Sequence, residues 1–390
     1  MQVRRVEIEA YRSIRKLSLP VERLNVFVGE NGVGKTNLYR ALELIQAAAL
    51  GTLARELAAE GGMQNALWSG ARKEKAPARI GLGVQLAAGG AHYDYRTGAG
   101  LVQQYQVEAG MSVPTGAAFP LEPQIKEERL TFFGSKRPEV LLDRKGPHAT
   151  ARDEAGVRHD LETQLLATET ALGSVSEPGR FPDLYAVRSA ILDWRFYHGF
   201  RTDRSSPLRS PCLATTTPTL ASDGADLAAV FSTLRHIRQD TADLDAAIDD
   251  AFPSAHLVVP MPERTATFAL VYKEFPKREF EPFELSDDTL RFLALAGALL
   301  SYRLPRFIAL NEPETSLHPD LLPPLARLIA RAAERTQAWV VTHSTTLADA
   351  LAMAANVKPR TVLKRAGETQ IEGLLPRRPI PRRGLDSVAQ

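Results

Sequence analysis

Apolar residues recur at strand and helix spacings over the first hundred residues of the chain. The predicted strands are residues 3–10, which alternate apolar and polar side chains, and the apolar or alternating runs at 24–28, 78–86 and 92–96. Leu38, Leu42 and Ile45 fall on one face of a predicted helix over residues 35–50. This region therefore combines strands with a helix that follows a short buried strand.

The last third of the chain switches between the same two patterns. Strands are predicted at residues 265–272, 307–310 and 338–342, helices at 289–302 and 321–334, and a hairpin at 361–373. Strands alternating with helices at both ends favour an α/β fold with a mixed sheet.

The middle of the chain has a different character. Helical spacing is found over residues 160–172, 183–193 and 226–248, and a Ser-, Pro- and Thr-rich stretch at 201–219 predicts a loop. We therefore expect four segments. They are the amino-terminal part of a core domain (1–110), a mainly helical insertion lobe (111–275), the carboxy-terminal part of the core (276–375) and a basic, Pro-rich tail (376–390).

Composition narrows the class of protein further. The formal net charge of +2 gives no strong overall field, and the single cysteine, Cys212, cannot form an internal disulfide. The amino terminus lacks the apolar core of a signal peptide, and the most apolar stretch, residues 292–300, is too short to cross a bilayer. We expect a soluble, cytoplasmic protein without a membrane partner.

The strongest motif is a glycine-rich loop between the predicted strand at 24–28 and the helix that begins at residue 35. Residues 29–36 read GENGVGKT, the pattern G-x4-G-K-[ST] of a phosphate-binding loop. In this pattern backbone N–H groups close around phosphate oxygens, Lys35 reaches the β- and γ-phosphates, and Thr36 offers a hydroxyl to Mg²⁺. The predicted nucleotide-binding residues are Gly29, Asn31, Gly32, Gly34, Lys35, Thr36 and Asn37.

Two later strands end in polar side chains. Asn311 and Glu312 follow the strand at 307–310, in the place of a Walker B element, where a side chain meets the metal or the attacking water. His343 follows the strand at 338–342, and ligands of open α/β sheets bind at the carboxyl ends of parallel strands. This order after a phosphate loop predicts one nucleotide-hydrolysing site.

The spacing of these motifs separates classes of nucleotide-binding protein. Lys35 and Glu312 lie 277 residues apart, and no Asn-Lys-x-Asp guanine-reading motif occurs. The chain resembles the ABC-type ATPases of the SMC/RecF group, and more closely the compact bacterial AAA-family ATPases related to the OLD-family ATPase domain. The matching segments are residues 11–13 (YRS), the phosphate loop, 284–289 (ELSDDT), 311–314 (NEPE), 316–319 (SLHP) and 341–344 (VTHS), with a looser match at 220–227.

This resemblance implies an ABC-ATPase-like head that uses ATP and Mg²⁺. Ser286 would lie in the signature motif, which in such families contacts the γ-phosphate of ATP bound to the other subunit. The active unit would then be a head-to-tail homodimer with two ATP molecules between its subunits. Residues 316–318 would form a loop that contacts the partner.

The resemblance also implies roles for individual side chains. Glu312 would position or deprotonate the attacking water, and His343 would sense the γ-phosphate. Arg12 would join the nucleotide-binding residues, while Thr36 and Asn311 would hold Mg²⁺, the latter through water or directly. The glutamine that usually completes the site is left open, with Gln64 and Gln106 as candidates.

Two residues depart from the family pattern. Asn311 stands where the group usually has Asp, which removes a full charge near Mg²⁺. Asp288 stands where relatives have Gly, and its carboxylate would repel a neighbour's triphosphate. We therefore expect slow but measurable ATP hydrolysis.

Three uses of ATP are compatible with a nucleotide-hydrolysing domain. The first is action on DNA in repair or genome maintenance, for which the basic and aromatic segment 195–209 and the tail at 376–383 are candidate contacts, although residues 194–197 favour a core strand. The second is a switch that controls a separate effector, such as a nuclease in anti-phage defence. The third, a transporter motor, fits poorly because about 250 residues separate Lys35 from Ser286.

A fused nuclease is not expected. OLD-family nucleases carry a Toprim domain after the ATPase, whereas 47 residues follow His343 and hold no acidic cluster of metal ligands. The eight histidines show no metal-ligand spacing.

Overall fold

The computed structural model describes residues 1–70, 78–87, 102–111, 119, 121–134, 137–161, 165–175, 177–238 and 241–374. Within them the chain builds two large sheets and two short two-stranded ones. The predicted strand at 92–96 and the tail at 376–390 lie outside the described residues.

The first large sheet is antiparallel and has the strand order β2-β1-β4-β5-β6-β7-β8-β9. Its strands are β1 (Gln2–Tyr11), β2 (Ile14–Pro20), β4 (Arg79–Ala87), β5 (Val102–Gly110), β6 (Gln124–Phe133), β7 (Pro138–Lys145), β8 (His148–Arg152) and β9 (Arg158–Asp160). Alternation along β1 buries Val6 and Ile8 against a shared core, while Glu9 stays exposed.

The second large sheet has the order β10-β15-β16-β3-β17-β18, and all neighbours except the last pair are parallel. Its strands are β3 (Leu24–Val28), β10 (Arg195–Tyr197), β15 (Phe307–Asn311), β16 (Gln337–Thr342), β17 (Arg360–Arg365) and β18 (Glu368–Ile371). Because parallel strands end at one edge, the loops after β3, β15 and β16 meet there. The two short sheets pair β11 (Cys212–Leu213) with β13 (Thr265–Ala266) and β12 (Ala255–Val258) with β14 (Ala269–Tyr272).

Helices cover both faces of the parallel sheet, as buried strands require. They are α1 (Lys35–Leu50), α2 (Leu53–Ala59), α3 (Met63–Ala66), α4 (Ala171–Ser174), α5 (Pro182–Leu192), α6 (Leu227–Ser232), α7 (Ala242–Ala251), α8 (Asp287–Leu300), α9 (Leu322–Ala333) and α10 (Thr345–Ala355). Helix α1 packs between the sheets through Leu38, Leu42 and Ile45, all fully buried. None of the helices described is long and apolar enough to span a membrane.

Most strands and helices predicted at both ends are present in the described residues, although the strand predicted at 265–272 is divided into β13 and β14. The prediction of a mainly helical segment over 111–275 is wrong. Strands β6 to β9 extend the antiparallel sheet through residues 124–160. In the described part of 160–172, helical structure is limited to the first two residues of the short helix α4. The expected helix over 226–248 is interrupted, because α6 passes into a π-helical turn over Thr233–Arg238 before α7.

Strand β6 explains why the sequence pattern failed there. A bulge opposite Glu108 and Ala109 shifts its register, and the buried carboxylate of Glu128 occupies a core position. That carboxylate accepts hydrogen bonds from Tyr105 Oη at 2.9 Å and from the backbone N–H groups of Ala171 and Leu172 at 2.6 and 2.8 Å. A buried glutamate whose hydrogen bonds are all made inside the protein takes the place of an apolar residue, so the strand no longer shows an alternating apolar and polar pattern.

Candidate functional site

The glycine-rich loop joins β3 to α1 in a conformation that exposes the helix amino terminus. Gly32 and Gly34 have φ values of 80° and 98°, the left-handed region that glycine adopts without strain. No side chain caps α1, and its first turn holds no acidic residue. The free N–H groups and the helix dipole therefore face an anion without competition from the chain's own carboxylates.

Lys35 is buried at the start of α1. Its Nζ donates to the carbonyl oxygens of Gly29 and Glu30, at 2.6 and 2.7 Å. Burial lowers the pKa of Lys35, against the opposing influence of Glu312 and Glu314. The ammonium is thus folded into the loop beside the carboxylates from the strand ends.

One pocket of about 270 Å³ brings most of the predicted residues together. It is lined by Ser13, Asn31, Gly32, Gly34, Lys35, Thr36, Asn37, Glu312 and Lys364. Ser13 and Lys364 were not predicted. Arg12 lies beside the pocket, with its Nη2 donating to Glu60 at 2.8 Å and its Nη1 3.4 Å from Asn37 Oδ1.

Glu312 reaches the pocket through an unusual backbone. It follows β15 with a φ of 49°, while its N–H still donates to Val341 O at 2.7 Å. The left-handed turn redirects the chain out of the strand and places the carboxylate opposite the phosphate loop. A carboxylate in that position can accept a proton from a water molecule that attacks a bound γ-phosphate.

His343 is positioned by Glu314, for which the sequence suggested no role. The Oε1 atom of Glu314 accepts from Thr342 Oγ1 at 2.6 Å and from the N–H of His343 at 3.0 Å, and lies 3.1 Å from His343 Nδ1. The same ring nitrogen is 3.8 Å from Glu312 Oε1. The sequence signal for this role was the second glutamate of the segment Asn-Glu-Pro-Glu. A buried carboxylate such as that of Glu314 needs hydrogen-bond donors around it, here from Thr342 and His343.

Asn311 and Thr36 suit a magnesium ion. Asn311 Nδ2 lies 2.6 Å from His198 Nδ1, and Asn311 Oδ1 is buried with no hydrogen-bond partner. Asn311 does not itself line the pocket but directly precedes Glu312, which does. Its unpartnered amide oxygen and the Thr36 hydroxyl are of the ligand type that Mg²⁺ prefers, and Mg²⁺ uses few protein ligands besides substrate phosphates. His198 follows β10, the strand next to β15, and sequence reasoning missed it because that adjacency appears only in the fold.

The two candidate glutamines lie away from this pocket. Gln64 is in α3, and Gln106 is in β5, where its Nε2 is 3.3 Å from Glu7 Oε2. Neither lines the pocket described above.

Ser286 begins α8 and does not line the pocket of its own chain. Its Oγ accepts from the N–H of Thr289 at 3.3 Å and hydrogen bonds to the carboxylate of Asp288. Asp287 and Asp288 both lie in the first turn. The signature helix therefore starts with a serine whose hydroxyl is already engaged.

Helix α8 also carries a buried arginine that lies close to the backbone of Glu312. The side chain of Arg291 is almost fully buried, its Nη2 lies 3.5 Å from Glu312 O, and its Nε has no hydrogen-bond partner. Burial lowers the pKa of Arg291. One helix thus starts at Ser286 and contacts the backbone of Glu312.

The basic segment at 195–209 is mostly engaged inside the chain. Arg195 donates to the carbonyls of Leu192 and Trp194, and Arg201 pairs with Asp203 at 2.9 Å. Arg209 donates to the carbonyls of residues 282, 283 and 285 and to Asp287 at 2.6 Å. The aromatic residues at 194, 196 and 197 are core residues, as their sequence pattern favoured.

Comparisons with known proteins agree with this arrangement. A family model described as "AAA domain, putative AbiEii toxin, Type IV TA system" matches residues 24–349. The SMC head bound to the C-winged helix domain of ScpA is similar with a TM-score of 0.52 at 12% identity, over 95% of this chain and 97% of that chain. No curated protein sequence matches the chain.

A second SMC head has an extended coiled coil and is bound to the C-terminal domain of ScpA derived from Pyrococcus furiosus. It matches with a TM-score of 0.50 at 12% identity, over 95% of each chain. The predicted fold class, an α/β P-loop ATPase head, is therefore confirmed.

Proposed function

Because the chain belongs to this AAA domain family, we propose that it is a Mg²⁺-dependent ATPase that dimerises around ATP and hydrolyses it slowly. The observation that carries the proposal is the single pocket in which the phosphate loop, Thr36 and Glu312 face one another. A triphosphate on the loop would place its terminal phosphate toward that carboxylate.

The roles of the residues follow from their positions. Lys35 and the N–H groups of α1 bind the phosphates, while Glu312 accepts the proton of the attacking water. Glu314 holds His343 beside Glu312, where the ring can donate to a γ-phosphate oxygen. Thr36 and Asn311 would hold Mg²⁺, which supplies charge neutralisation to the triphosphate when bound.

Dimerisation would bring a second chain's Ser286 to the nucleotide. In support of this, Ser286 is exposed and lies outside its own chain's pocket. The carboxylates of Asp287 and Asp288 beside it would oppose the approach of a triphosphate, which is consistent with slow turnover.

Two biological roles are proposed for this cycle. Action on DNA in repair or genome maintenance draws little support from segment 195–209, because Arg195, Arg201 and Arg209 already have internal partners. An ATP-driven switch that controls a separate effector in anti-phage defence is favoured by one observation. The two SMC heads described above are each bound to a domain of another protein, which supports a protein partner for this chain.

The test compares wild type with Lys35→Ala for ATP binding, ATP turnover and oligomeric state. Loss of the ammonium should weaken ATP binding and reduce turnover by more than about 100-fold, because the loop loses its charge-assisted contact with the phosphates. Wild type should become dimeric with ATP, and Lys35→Ala should stay in its resting state.

Equal turnover by the two proteins would contradict the proposed site. Adding duplex DNA separates the two roles, since stimulation of turnover by DNA favours genome maintenance. Turnover that is unaffected by DNA and rises with a copurifying protein favours the switch.

A further inference from the structure

The carboxy-terminal hairpin, β17 with β18, packs directly on the phosphate loop. A Cβ atom at Gly29 would lie 2.5 Å from Val362 O, and one at Gly34 would lie 2.0 Å from Thr369 Oγ1. Both distances are shorter than real Cβ contacts, so the two glycines are needed for the hairpin to approach. The hairpin is therefore part of the wall of the nucleotide pocket.

Thr369 fixes the hairpin in that place. Its Oγ1 donates to Val33 O at 2.8 Å and lies 2.6 Å from Ser13 Oγ, and its N–H donates to Ser13 O at 2.8 Å. Ser13 Oγ in turn accepts from Asn37 Nδ2 at 2.7 Å. These bonds connect the hairpin to the loop and to the first turn of α1.

The register of the hairpin aims Lys364 at the same pocket. Lys364 pairs directly with Thr369 across the antiparallel strands, and such partners project from the same face of a sheet. Thr369 faces the phosphate loop, and Val362, two residues before Lys364, faces the core on that side. Lys364 accordingly lines the pocket with Lys35, Thr36 and Glu312.

The two lysines of the pocket differ in their surroundings. Lys35 is buried and donates to loop carbonyls, whereas Lys364 is exposed and has no hydrogen bond or ion pair with any residue of the described ranges. Strands β15 and β17 lie on opposite sides of β3, so Glu312 and Lys364 approach the pocket from opposite directions. A γ-phosphate bound near Glu312 would leave Lys364 on the side of the pocket where the α- and β-phosphates would lie.

We propose that Lys364 is a phosphate-binding residue that the carboxy-terminal hairpin adds to the nucleotide site, with the α- and β-phosphates as its ligands. The proposal rests on the proposed function, because it concerns the same pocket. The ammonium is a mobile point charge on a long stem, which suits phosphate oxygens that the loop already holds. Nucleotide affinity then depends on a hairpin more than 300 residues away in sequence from the loop.

Equilibrium binding of ATP, ADP and adenosine tests the proposal. ATP is measured in a Glu312→Gln background, and ADP and adenosine also in the otherwise wild-type protein. Lys364→Gln should raise the Kd of ATP and of ADP by about threefold to tenfold and leave adenosine binding unchanged, since one charge-assisted hydrogen bond to phosphate is lost. Lys364→Arg should restore most of the affinity.

Lys358→Gln is the matched control, because Lys358 is exposed, precedes the same hairpin and lies outside the pocket. It should leave all three Kd values unchanged. An unchanged Kd in Lys364→Gln, a loss confined to ATP, or an equal loss for adenosine would each overturn the proposal. If Lys35→Ala still abolishes binding in that case, the proposed function stands and only the role of Lys364 fails.

Discussion

Helices α1 and α8 begin at the two places where a nucleotide is expected to meet the protein, and their amino termini are built in opposite ways. Helix α1 follows a glycine, has no side-chain cap and holds no acidic residue in its first turn. Helix α8 is capped by Ser286 and carries Asp287 and Asp288 in its first turn. Each helix dipole favours an anion at the amino terminus of its helix, and at α8 the carboxylates of Asp287 and Asp288 already supply that negative charge.

Under the proposed function, this difference would let the chain bind a nucleotide readily at α1 while opposing dimerisation around that nucleotide at α8. A phosphate approaching α1 meets free N–H groups and Lys35, whereas one approaching α8 meets two carboxylates. The free energy of ATP binding and that of ATP-dependent dimerisation are therefore expected to respond to different residues. Three substitutions probe that separation.

The largest expected effect comes from Glu312→Gln, on the α1 side of the comparison. Turnover should fall by about 100-fold or more, because the amide cannot accept the proton of the attacking water. The Kd of ATP should change by less than about threefold, since the variant keeps the shape of the side chain. Single-turnover hydrolysis and equilibrium binding check the two statements, and turnover equal to wild type would place the hydrolysis elsewhere.

A smaller effect is expected from Asp288→Asn, on the α8 side. Removing one carboxylate near the neighbour's triphosphate should strengthen ATP-dependent dimerisation by about fivefold, the equivalent of roughly 1 kcal/mol of relieved repulsion. Sedimentation in a Glu312→Gln background measures the dimer Kd. ATP binding to the isolated subunit should not change.

Asp287→Asn is the control for that charge change. The Asp287 carboxylate is held by Arg209 at 2.6 Å, so its charge is already partly compensated. Equal gains from both variants would mean that only net charge matters and that the position of Asp288 has no special role.

The smallest effect is expected from Arg209→Lys, because this substitution keeps the positive charge beside Asp287 and leaves both carboxylates of α8 unchanged. The guanidinium of Arg209 donates to the carbonyls of residues 282, 283 and 285, just before α8, and a lysine cannot match that fork. ATP-dependent dimerisation should weaken by about threefold, and amide exchange in residues 283–287 should become faster. The exposed Arg278 near the same loop supplies the control, Arg278→Lys, and an equal loss there would remove the special role of Arg209.

The sequence was most informative where chemistry is local. The phosphate loop is recognised from the spacing of Gly29, Gly32 and Gly34 before Lys35, and Glu312 from its position directly after an apolar run. Lys35 and Glu312 both line the pocket. Helix α5 and strands β15 and β16 were predicted for the same reason, because their patterns are regular and uninterrupted.

The residues that sequence reasoning missed depend on the order of strands. His198 is close to Asn311 because β10 pairs with β15, and Lys364 enters the pocket because β17 pairs with β3. Neither pairing can be inferred from spacing along the chain. In the middle of the chain, a bulge and the buried Glu128 interrupt the alternation of apolar and polar residues along β6. The apolar pattern therefore did not predict this strand.

The left-handed backbone of Glu312 links the stability of the folded chain to the proposed hydrolysis of ATP. A φ of 49° costs a residue with a side chain about 1 to 3 kcal/mol, a cost that glycine avoids. Glu312→Gly would therefore relieve this backbone strain and, under the proposed function, would remove the carboxylate that accepts the proton of the attacking water. A gain in the free energy of unfolding and a loss of turnover are expected together at this position.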